Sequence, residues 1–450
     1  MASSIEAVRG TKDVLPQDSY KWRFVERTAQ QVAADFGFRE VRFPTFEKTE
    51  LFVRGVGDTT DVVQKEMYTF VTKGEDSITL RPEGTASVAR LCLQNGLFAG
   101  LMPLKLYYII SCFRYEKPQA GRWREFQQFG VETLGAASPA ADAEIISLAN
   151  EIFAFLGVEG IELHLNSIGC PECRKNYHKA LKEYFESRKS ELCGTCLERL
   201  EKNPMRILDC KSPICKEICK DAPVITDYIC DECSAHFKSV QKYLDAMNIE
   251  YVIDPHIVRG LDYYTRTVFE FISNQIGAQG AVCAGGRYDG LVEELGGPHV
   301  PSLGFGLGTG RLLMLLEAQG IELPAPSGCE LYIAPMGEDA SVKAMSIVAD
   351  LRAGGISAQT DVVGRSLKAQ MKYADKIGAK YTMVLGDDEI AKGEAVIKDM
   401  DSGETETLSL DGLEDSFMQL MLRRESDALR ETLTDGLTDE LGGIDITALL

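Results

Sequence analysis

Two runs of strand-forming sequence, Leu104 to Glu116 and Arg122 to Leu134, flank a short polar loop that holds Pro118 and Gly121, and together they predict an antiparallel hairpin. Side chains alternate along a strand, so Arg114 and Glu116 share a face of the first, while Arg124, Phe126, Gln128 and Glu132 share a face of the second. That face is too charged for a core and too regular for a loop. It is either the floor of a polar pocket or a solvated sheet face crossed by ion pairs.

A chain of 450 residues exceeds what one hydrophobic core organises, so two or three domains are expected. Before the hairpin, Trp22, Val25, Ala29, Val32 and Phe36 recur at helical spacing over Ser19 to Phe36, Gly37 ends the run, and a strand-like stretch leads to Pro44. After it, Cys170 to about Ala246 reads as a helical, lysine-rich insertion between strand-like sequence near His164 and at Ile249 to Asp254. Strands around Tyr264 to Ile272, a glycine-rich passage from Gly285 to Gly310 and a helix starting near Arg311 follow. Leu323 to Gly328 has linker composition. Beyond it, strands at Glu330 to Ala334, Ser357 to Thr360 and Tyr381 to Leu385 alternate with helices near Val342 to Ala353 and Leu367 to Ile377 as a small α/β domain.

The N-terminal sequence lacks the apolar core of a secretory signal, and no apolar run is long enough to cross a bilayer, which predicts a cytoplasmic protein with no membrane partner. A net charge of -20 repels phosphate, so a polyanionic partner requires a local basic patch. Thirteen cysteines without a secretory signal point to thiols or metal ligands, and nine of them lie between Cys170 and Cys233.

Three arginines sit beside devices suited to phosphate: Arg114 on the polar hairpin face, Arg259 before a glycine turn, and Arg311 after Gly304, Gly306, Gly308 and Gly310 at a helix start. A helix N-terminus offers free amides, and a guanidinium adds forked donors. Taken alone, the glycine passage reads first as a tight turn for close strand–helix packing and only second as a phosphate site. It matches neither a dinucleotide fingerprint nor a P-loop, which disfavours both of those folds.

Arg259-Gly260-Leu261-Asp262-Tyr263-Tyr264, with Ala284-Gly285-Gly286-Arg287-Tyr288-Asp289-Gly290 after it, resembles the paired histidine-recognition motifs of histidyl-tRNA synthetases. Phe113 to Glu116 with Arg122 to Phe126 is similar to motif 2 of class II synthetases, Gly304 to Leu313 to motif 3, and the helix and strand up to Pro44 to motif 1. Arg9 to Asp13 and Leu80 to Thr85 match as well, so the resemblance spans roughly residues 5 to 425 in family order.

The resemblance implies an α+β fold: a catalytic core on a six-stranded antiparallel sheet (residues 1–165 and 248–322), a cysteine-rich helical insertion (166–247), a C-terminal α/β anticodon-binding domain (328–425) and an acidic tail (426–450). It implies ATP-dependent attachment of L-histidine to its tRNA by a homodimer. In that reading Arg114 holds the α-phosphate, Glu116 and Phe126 the adenine, and Arg122 and Arg311 the terminal phosphates with Mg2+. Glu83, Thr85 and Gln128 hold the substrate amino group, and Glu132 and Tyr264 read the imidazole, with Tyr263, Tyr288 and Arg287 close by. Arg259 lies between the substrate carboxylate and the α-phosphate. The substrate carboxylate is the nucleophile, which fits arginines rather than a Ser-His pair. The chain's own five histidines fall outside these motifs, consistent with structural or surface roles.

Arg365, Lys368, Lys372, Lys376 and Lys380 recur at steps of three and four, on a face away from Leu367, Met371 and Ile377. By spacing this is a solvated amphipathic helix; by resemblance it faces tRNA, while Gln119 and Arg124 lie near the acceptor end. Three CxxC pairs, Cys170/Cys173, Cys193/Cys196 and Cys230/Cys233, with Cys210, Cys215 and Cys219 between them, have ligand spacing for at least one structural zinc or are reduced thiols. The tail is expected to be mobile or loosely docked. Two other readings remain: a catalytically silent paralogue that senses histidine, and a zinc-ribbon nucleic-acid-binding protein. Retention of Arg114, Arg259, Arg311 and the basic helix argues against the first, and the second explains only the insertion.

Overall fold

The computed structural model describes residues 5–440 except 59, 211, 278, 279 and 327; side chains beyond 427 are described only at Arg430. By packing, the chain divides into residues 1–324 and 325–450. The first unit carries strands β1 (Arg39–Glu40), β2 (Phe46–Lys48), β3 (Thr69–Val71), β4 (Ser77–Leu80), β5 (Leu104–Phe113) and β6 (Glu125–Leu134). It continues with β7 (Glu162–Ser167), β8 (Val252–Ile253), β9 (Thr265–Ile272), β10 (Ala281–Arg287) and β11 (Ser302–Gly308).

Eight of these form one sheet in the order β1-β5-β6-β11-β10-β9-β7-β8. The inner six run antiparallel throughout, as the resemblance implies, and a two-residue strand pairs parallel at each edge. The remaining three, β2-β4-β3, make a small sheet of their own.

Alternation gives the large sheet two unlike faces. Phe129 and Val131 of β6, Leu303, Phe305 and Leu307 of β11, and Phe269 and Phe271 of β9 are buried in a core with the helices Pro16–Asp35, Pro139–Phe155, Thr309–Ala318 and Asp231–Ala246. The first of these helices begins earlier than its apolar spacing indicates, because Pro16 starts it in the first turn, where a missing N–H costs nothing. On the opposite face the register aligns Glu132, Gly304, Gly286 and Val268 in one row. The next row is Tyr108, Gly130, Gly306, Ala284 and Glu270. Between Tyr108 and Glu270 no residue of this row carries more than a methyl group, which leaves a trough across the sheet that the Tyr108 ring enters over Gly130 and Gln128 enters over Gly306.

The hairpin strands stop earlier than their sequence indicates, at Phe113 and Glu125. Residues Arg114 to Arg124 form a loop, started by the amide of Arg114 donating to the Arg124 carbonyl at 2.8 Å. Arg114, Glu116 and Arg124 are therefore aimed by that loop and not by strand parity.

The Cys170–Ala246 stretch is helical, with helices Pro171–Glu186, Gly194–Lys202, Pro213–Cys219 and Asp231–Ala246. The second unit is a mixed sheet of β12 (Leu331–Pro335), β13 (Ala358–Thr360), β14 (Tyr381–Leu385), β15 (Glu394–Asp399) and β16 (Thr405–Ser409) in the order β13-β12-β14-β15-β16. A helix Leu413–Glu440 packs Leu413, Phe417 and Leu420 into its core. The tail expected from residue 426 onward is thus the continuation of a helix as far as Glu440, and residues 441–450 lie outside the described residues.

Candidate active site

Glu132 stands at the closed end of the trough, 1% exposed. Its Oε1 accepts from the Thr85 hydroxyl at 2.7 Å and the Tyr108 hydroxyl at 3.0 Å, and its Oε2 accepts from the Tyr288 hydroxyl. Burial pushes this carboxyl up to about 8, against the pull of the three hydroxyls and with the push of nearby Glu83. The glycines opposite are spatial requirements. A Cβ on Gly304 would lie 2.0 Å from Glu132 Oε2, and one on Gly306 would lie 1.6 Å from Gln128 Nε2. Read in one dimension these glycines indicate a tight turn or a phosphate site; in the sheet Gly304 and Gly306 are alternate residues of β11 whose missing side chains leave room for Glu132 and Gln128. The helix Thr309–Ala318, which carries Arg311, begins directly after them.

Tyr263 and Tyr264 are buried beside Glu132's partners, with ring centroids 4.7 Å apart and Tyr263 edge-on to Tyr288 at 5.5 Å. Arg259 stacks its guanidinium 5.4 Å from the Tyr264 ring centre and pairs with Glu270, the charged residue at the trough's other end. Its Nε is buried without a hydrogen-bond partner. A fixed positive charge with an unsatisfied donor therefore borders the trough.

Glu83 caps the helix Thr85–Gln94: its two oxygens accept from the amides of Thr85 at 2.6 Å and Ala86 at 3.0 Å. Gln128 accepts from the Cys112 thiol at 3.4 Å. Arg114 donates to the Pro82 carbonyl at 2.9 Å and lies 5.3 Å over the Phe126 ring. Arg122 pairs with Glu116, and Arg311 donates to the carbonyls of Gly121 at 2.9 Å and Ala281 at 2.7 Å. Burial and the adjacent Arg122 and Arg114 push Arg311 down to about 10. Three guanidiniums gathered this closely form a site for a polyanion.

Arg287 does not join the cluster around Glu132. It is fully buried, donating to Asp142 and to the carbonyls of Ala136 and Ser138, while His236 bonds the same carboxylate at 3.2 Å. Gln119 pairs with Arg122 across the hairpin loop, and Arg124 stacks 4.0 Å from the Tyr115 ring centre while its amide bonds Gly10.

In the second unit only Lys368, Lys372 and Lys376 lie on the helix Leu367–Lys376, and all three are exposed. Arg365 precedes the helix with its guanidinium bonded to Asp361 at 2.6 Å, and Lys380 follows it, paired with Glu330 at 3.0 Å. The basic row is shorter than the sequence spacing indicates, because both ends are taken by acidic partners.

Among the described residues, two groups of four cysteines have mutually close sulfurs, none more than 4.8 Å apart: Cys170, Cys173, Cys230 and Cys233, and Cys193, Cys196, Cys210 and Cys215. A zinc ion with Zn–S bonds of about 2.3 Å in a tetrahedron sets its sulfurs about 3.8 Å apart. The Cys170–Cys173 and Cys193–Cys210 sulfurs are 3.5 and 3.7 Å apart, so the donor sets fit the ion. Cys210 and Cys215 were not distinguished as ligands by spacing, and Cys219 stays apart, bonded to the Ile207 carbonyl.

Sequence and structure comparisons agree with this architecture. The profile of histidyl-tRNA synthetases matches residues 10–183 and 215–312, and that of an anticodon binding domain matches residues 330–420. The chain is 54% identical over 408 residues to the histidine--tRNA ligase of Acetivibrio thermocellus, covering 91% of this chain and 98% of that one. It is 53% identical over 415 residues to that of Clostridioides difficile, covering 92% and 99%. The crystal structure of the apo histidyl-tRNA synthetase of S. aureus superposes with a TM-score of 0.79 at 40% identity, covering 92% of this chain and all of that one. An antiparallel catalytic sheet joined to an anticodon-binding domain defines an aminoacyl-tRNA synthetase of class II. The chain belongs to the histidyl-tRNA synthetase family.

Proposed function

We propose that the chain attaches L-histidine to histidine tRNA in two steps, forming histidyl-adenylate from ATP with release of pyrophosphate, then transferring histidine to the tRNA with release of AMP. The observation that carries the site assignment is the trough with buried Glu132 at one end and Arg259 beside Glu270 at the other. An imidazole at the Glu132 end meets a carboxyl that burial keeps protonated to about pH 8, and a ring basic near neutrality can share that proton. An apolar side chain there would strand Glu132 and its hydroxyl partners. Tyr264 and, beside it, Tyr263 and Tyr288 complete the reader, with Thr85, Gln128 and Glu83 at the amino group.

At the other end the substrate carboxylate attacks the α-phosphate, so the enzyme supplies position and charge rather than a nucleophile. Arg259 and Arg114 stabilise the charge that gathers on the α-phosphate. Glu116 and Phe126 take the adenine, and Arg122 and Arg311 take the outer phosphates, which requires Arg122 to exchange Glu116 for phosphate as ATP enters. Mg2+ arriving with ATP neutralises the outer phosphate oxygens.

Lys368, Lys372, Lys376 and Arg365 are assigned to the anticodon stem, Gln119 and Arg124 to the acceptor end, and the helix Pro16–Asp35 with the following strand to a homodimer interface. The catalytic core comprises residues 1–165 and 248–322, the insertion 166–247 with structural zinc, and the anticodon domain 328–425. The protein works in the cytoplasm. Histidine-dependent exchange of pyrophosphate into ATP tests the first step: folded protein with Mg2+ should catalyse it, and its absence would reassign the chain to a histidine-binding regulator.

A further inference from the structure

The cysteine clusters lie against the chemistry. Arg174 directly follows Cys173, and its guanidinium donates to the Tyr264 carbonyl at 3.1 Å and the Asp262 carbonyl at 3.5 Å. Arg206 sits four residues before Cys210 and donates to the Gly260 carbonyl at 2.6 Å and to Asp262 Oδ1 at 3.3 Å. Asn203 of the same turn reaches Asp262 Oδ1 at 3.4 Å. The segment Arg259–Tyr264, on which the proposed adenylation depends, is thus gripped by one arginine from each cluster. Arg206 is only 9% exposed although its support is a short turn, Pro204–Ile207, between the helices Gly194–Lys202 and Pro213–Cys219. Arg199 braces that turn by donating to the Arg206 carbonyl at 2.9 Å, and reaches Asp61 at 2.7 Å.

Both clusters are arranged as ligand sets and not as buried thiols that happen to touch. Backbone amides aim at the sulfurs: Cys230 N–H at Cys173 Sγ (3.1 Å), Cys193 N–H at Cys215 Sγ (3.4 Å) and Ser212 N–H at Cys210 Sγ (3.5 Å). These donors hold the sulfurs in orientation around each common point. Buried cysteines elsewhere, Cys92, Cys112, Cys283 and Cys329, converge on no common point. Four sulfurs that all lie within 4.8 Å of one another, with CxxC spacing, have the composition of a closed structural zinc site.

We infer that each cluster binds one zinc ion, Cys170/Cys173/Cys230/Cys233 and Cys193/Cys196/Cys210/Cys215, and that the two sites are clamps which position Arg174 and Arg206 on the Arg259–Tyr264 segment. Arg174 and Arg206 are positioning residues: they touch the backbone that carries Arg259 and Tyr264, not the substrate. The second part rests on the assignment of that segment to histidine and the α-phosphate.

The test uses the full-length protein. Elemental analysis should give two zinc ions per chain, Cys215→Ser should give one, and cobalt substitution should give thiolate charge-transfer absorption. In Cys215→Ser and in Arg206→Met, amide hydrogen exchange over residues 259–264 should accelerate. Arg206→Met should keep two zinc ions and lose about tenfold or more in kcat/KM for histidine in pyrophosphate exchange, with KM for ATP unchanged and partial rescue by Arg206→Lys. Fewer than two zinc ions in the wild type, or an iron–sulfur chromophore, overturns the metal assignment. Two zinc ions with unchanged exchange protection and kinetics in Arg206→Met overturns the clamp. If Cys215→Ser fails to fold, thiol-titrated zinc release from the wild type and the Arg206 variants carry the same decision. Absence of histidine-dependent activity in the wild type would instead refute the functional assignment, leaving zinc count and amide exchange to judge the clamp.

Discussion

Glu132→Gln separates what this residue does for the fold from what it does for the substrate. The amide is nearly isosteric. Its oxygen can still accept from Thr85 and Tyr108, while the Tyr288 hydroxyl must turn to accept from the new NH2. The carboxyl is held up from an ordinary 4.5 to about 8, chiefly by burial. Between those values the folded protein keeps a proton that the unfolded chain has released, so stability falls as pH rises through the window and levels off above about 8. At 1.36 kcal/mol per unit, the shift from 4.5 to about 8 amounts to about 5 kcal/mol across the window. The glutamine variant carries no such term. Its stability relative to wild type should therefore increase steadily from pH 5 to pH 8 in ligand-free denaturant titrations, and then plateau. Taking the difference between the two proteins cancels the titrating groups that are not coupled to Glu132. Parallel pH profiles would refute the argument, since they would mean that Glu132 ionises as an ordinary surface carboxylate. In pyrophosphate exchange the same variant should lose roughly ten- to a hundred-fold in kcat/KM for histidine, the worth of a charge-assisted hydrogen bond.

Arg259→Ala should reduce pyrophosphate exchange by roughly a thousand-fold while weakening histidine binding, measured by calorimetry, less than about tenfold. Equal losses would place Arg259 in ground-state binding, and Arg259→Lys, which keeps a charge for Glu270, controls for stranding that carboxylate. Gly306→Ala would put a methyl group 1.6 Å from Gln128 Nε2. The displaced Gln128 should cost about 1–3 kcal/mol of stability and raise KM for histidine more than KM for ATP; an unaffected variant would mean that the trough floor is not needed. Replacing Lys368, Lys372 and Lys376 together with glutamate should raise KM for tRNA about tenfold or more and flatten its salt dependence, leaving pyrophosphate exchange untouched. Loss of exchange activity in that variant would count against a purely anticodon-side role.

What the sequence made legible is what local periodicity encodes. Two-residue alternation is carried by residues close in the chain, so the β5–β6 hairpin and the common face of Phe126, Gln128 and Glu132 are readable from it. Parity fails where the strand stops: Arg114, Glu116 and Arg124 lie past its ends, and the Arg124–Gly10 bond that shapes this loop joins residues far apart in sequence. The basic helix shows the same limit. Its spacing is correct from Lys368 to Lys376, but Asp361 and Glu330 take Arg365 and Lys380, and only the folded domain brings those acids near.

The glycines of β11 and the cysteines of the insertion carry this limit to the chemistry itself. A row of alternate glycines reads equally as a turn or as a strand, and the choice is made by what must fit opposite: Gln128 and Glu132 occupy the volume that Cβ atoms on Gly306 and Gly304 would take. Among the cysteines, CxxC spacing identifies pairs but not which pairs meet. Cys170/Cys173 joins Cys230/Cys233 across the whole insertion, whereas Cys193/Cys196 closes on the unpaired Cys210 and Cys215. The pairing has a consequence that spacing cannot encode. The outer set fastens the two ends of the insertion beside Arg174, and the inner set closes the turn that carries Arg206, so both arginines reach the segment holding Arg259 and Tyr264. An insertion that looks separable in sequence is, by its contacts, part of the frame of the proposed adenylation site.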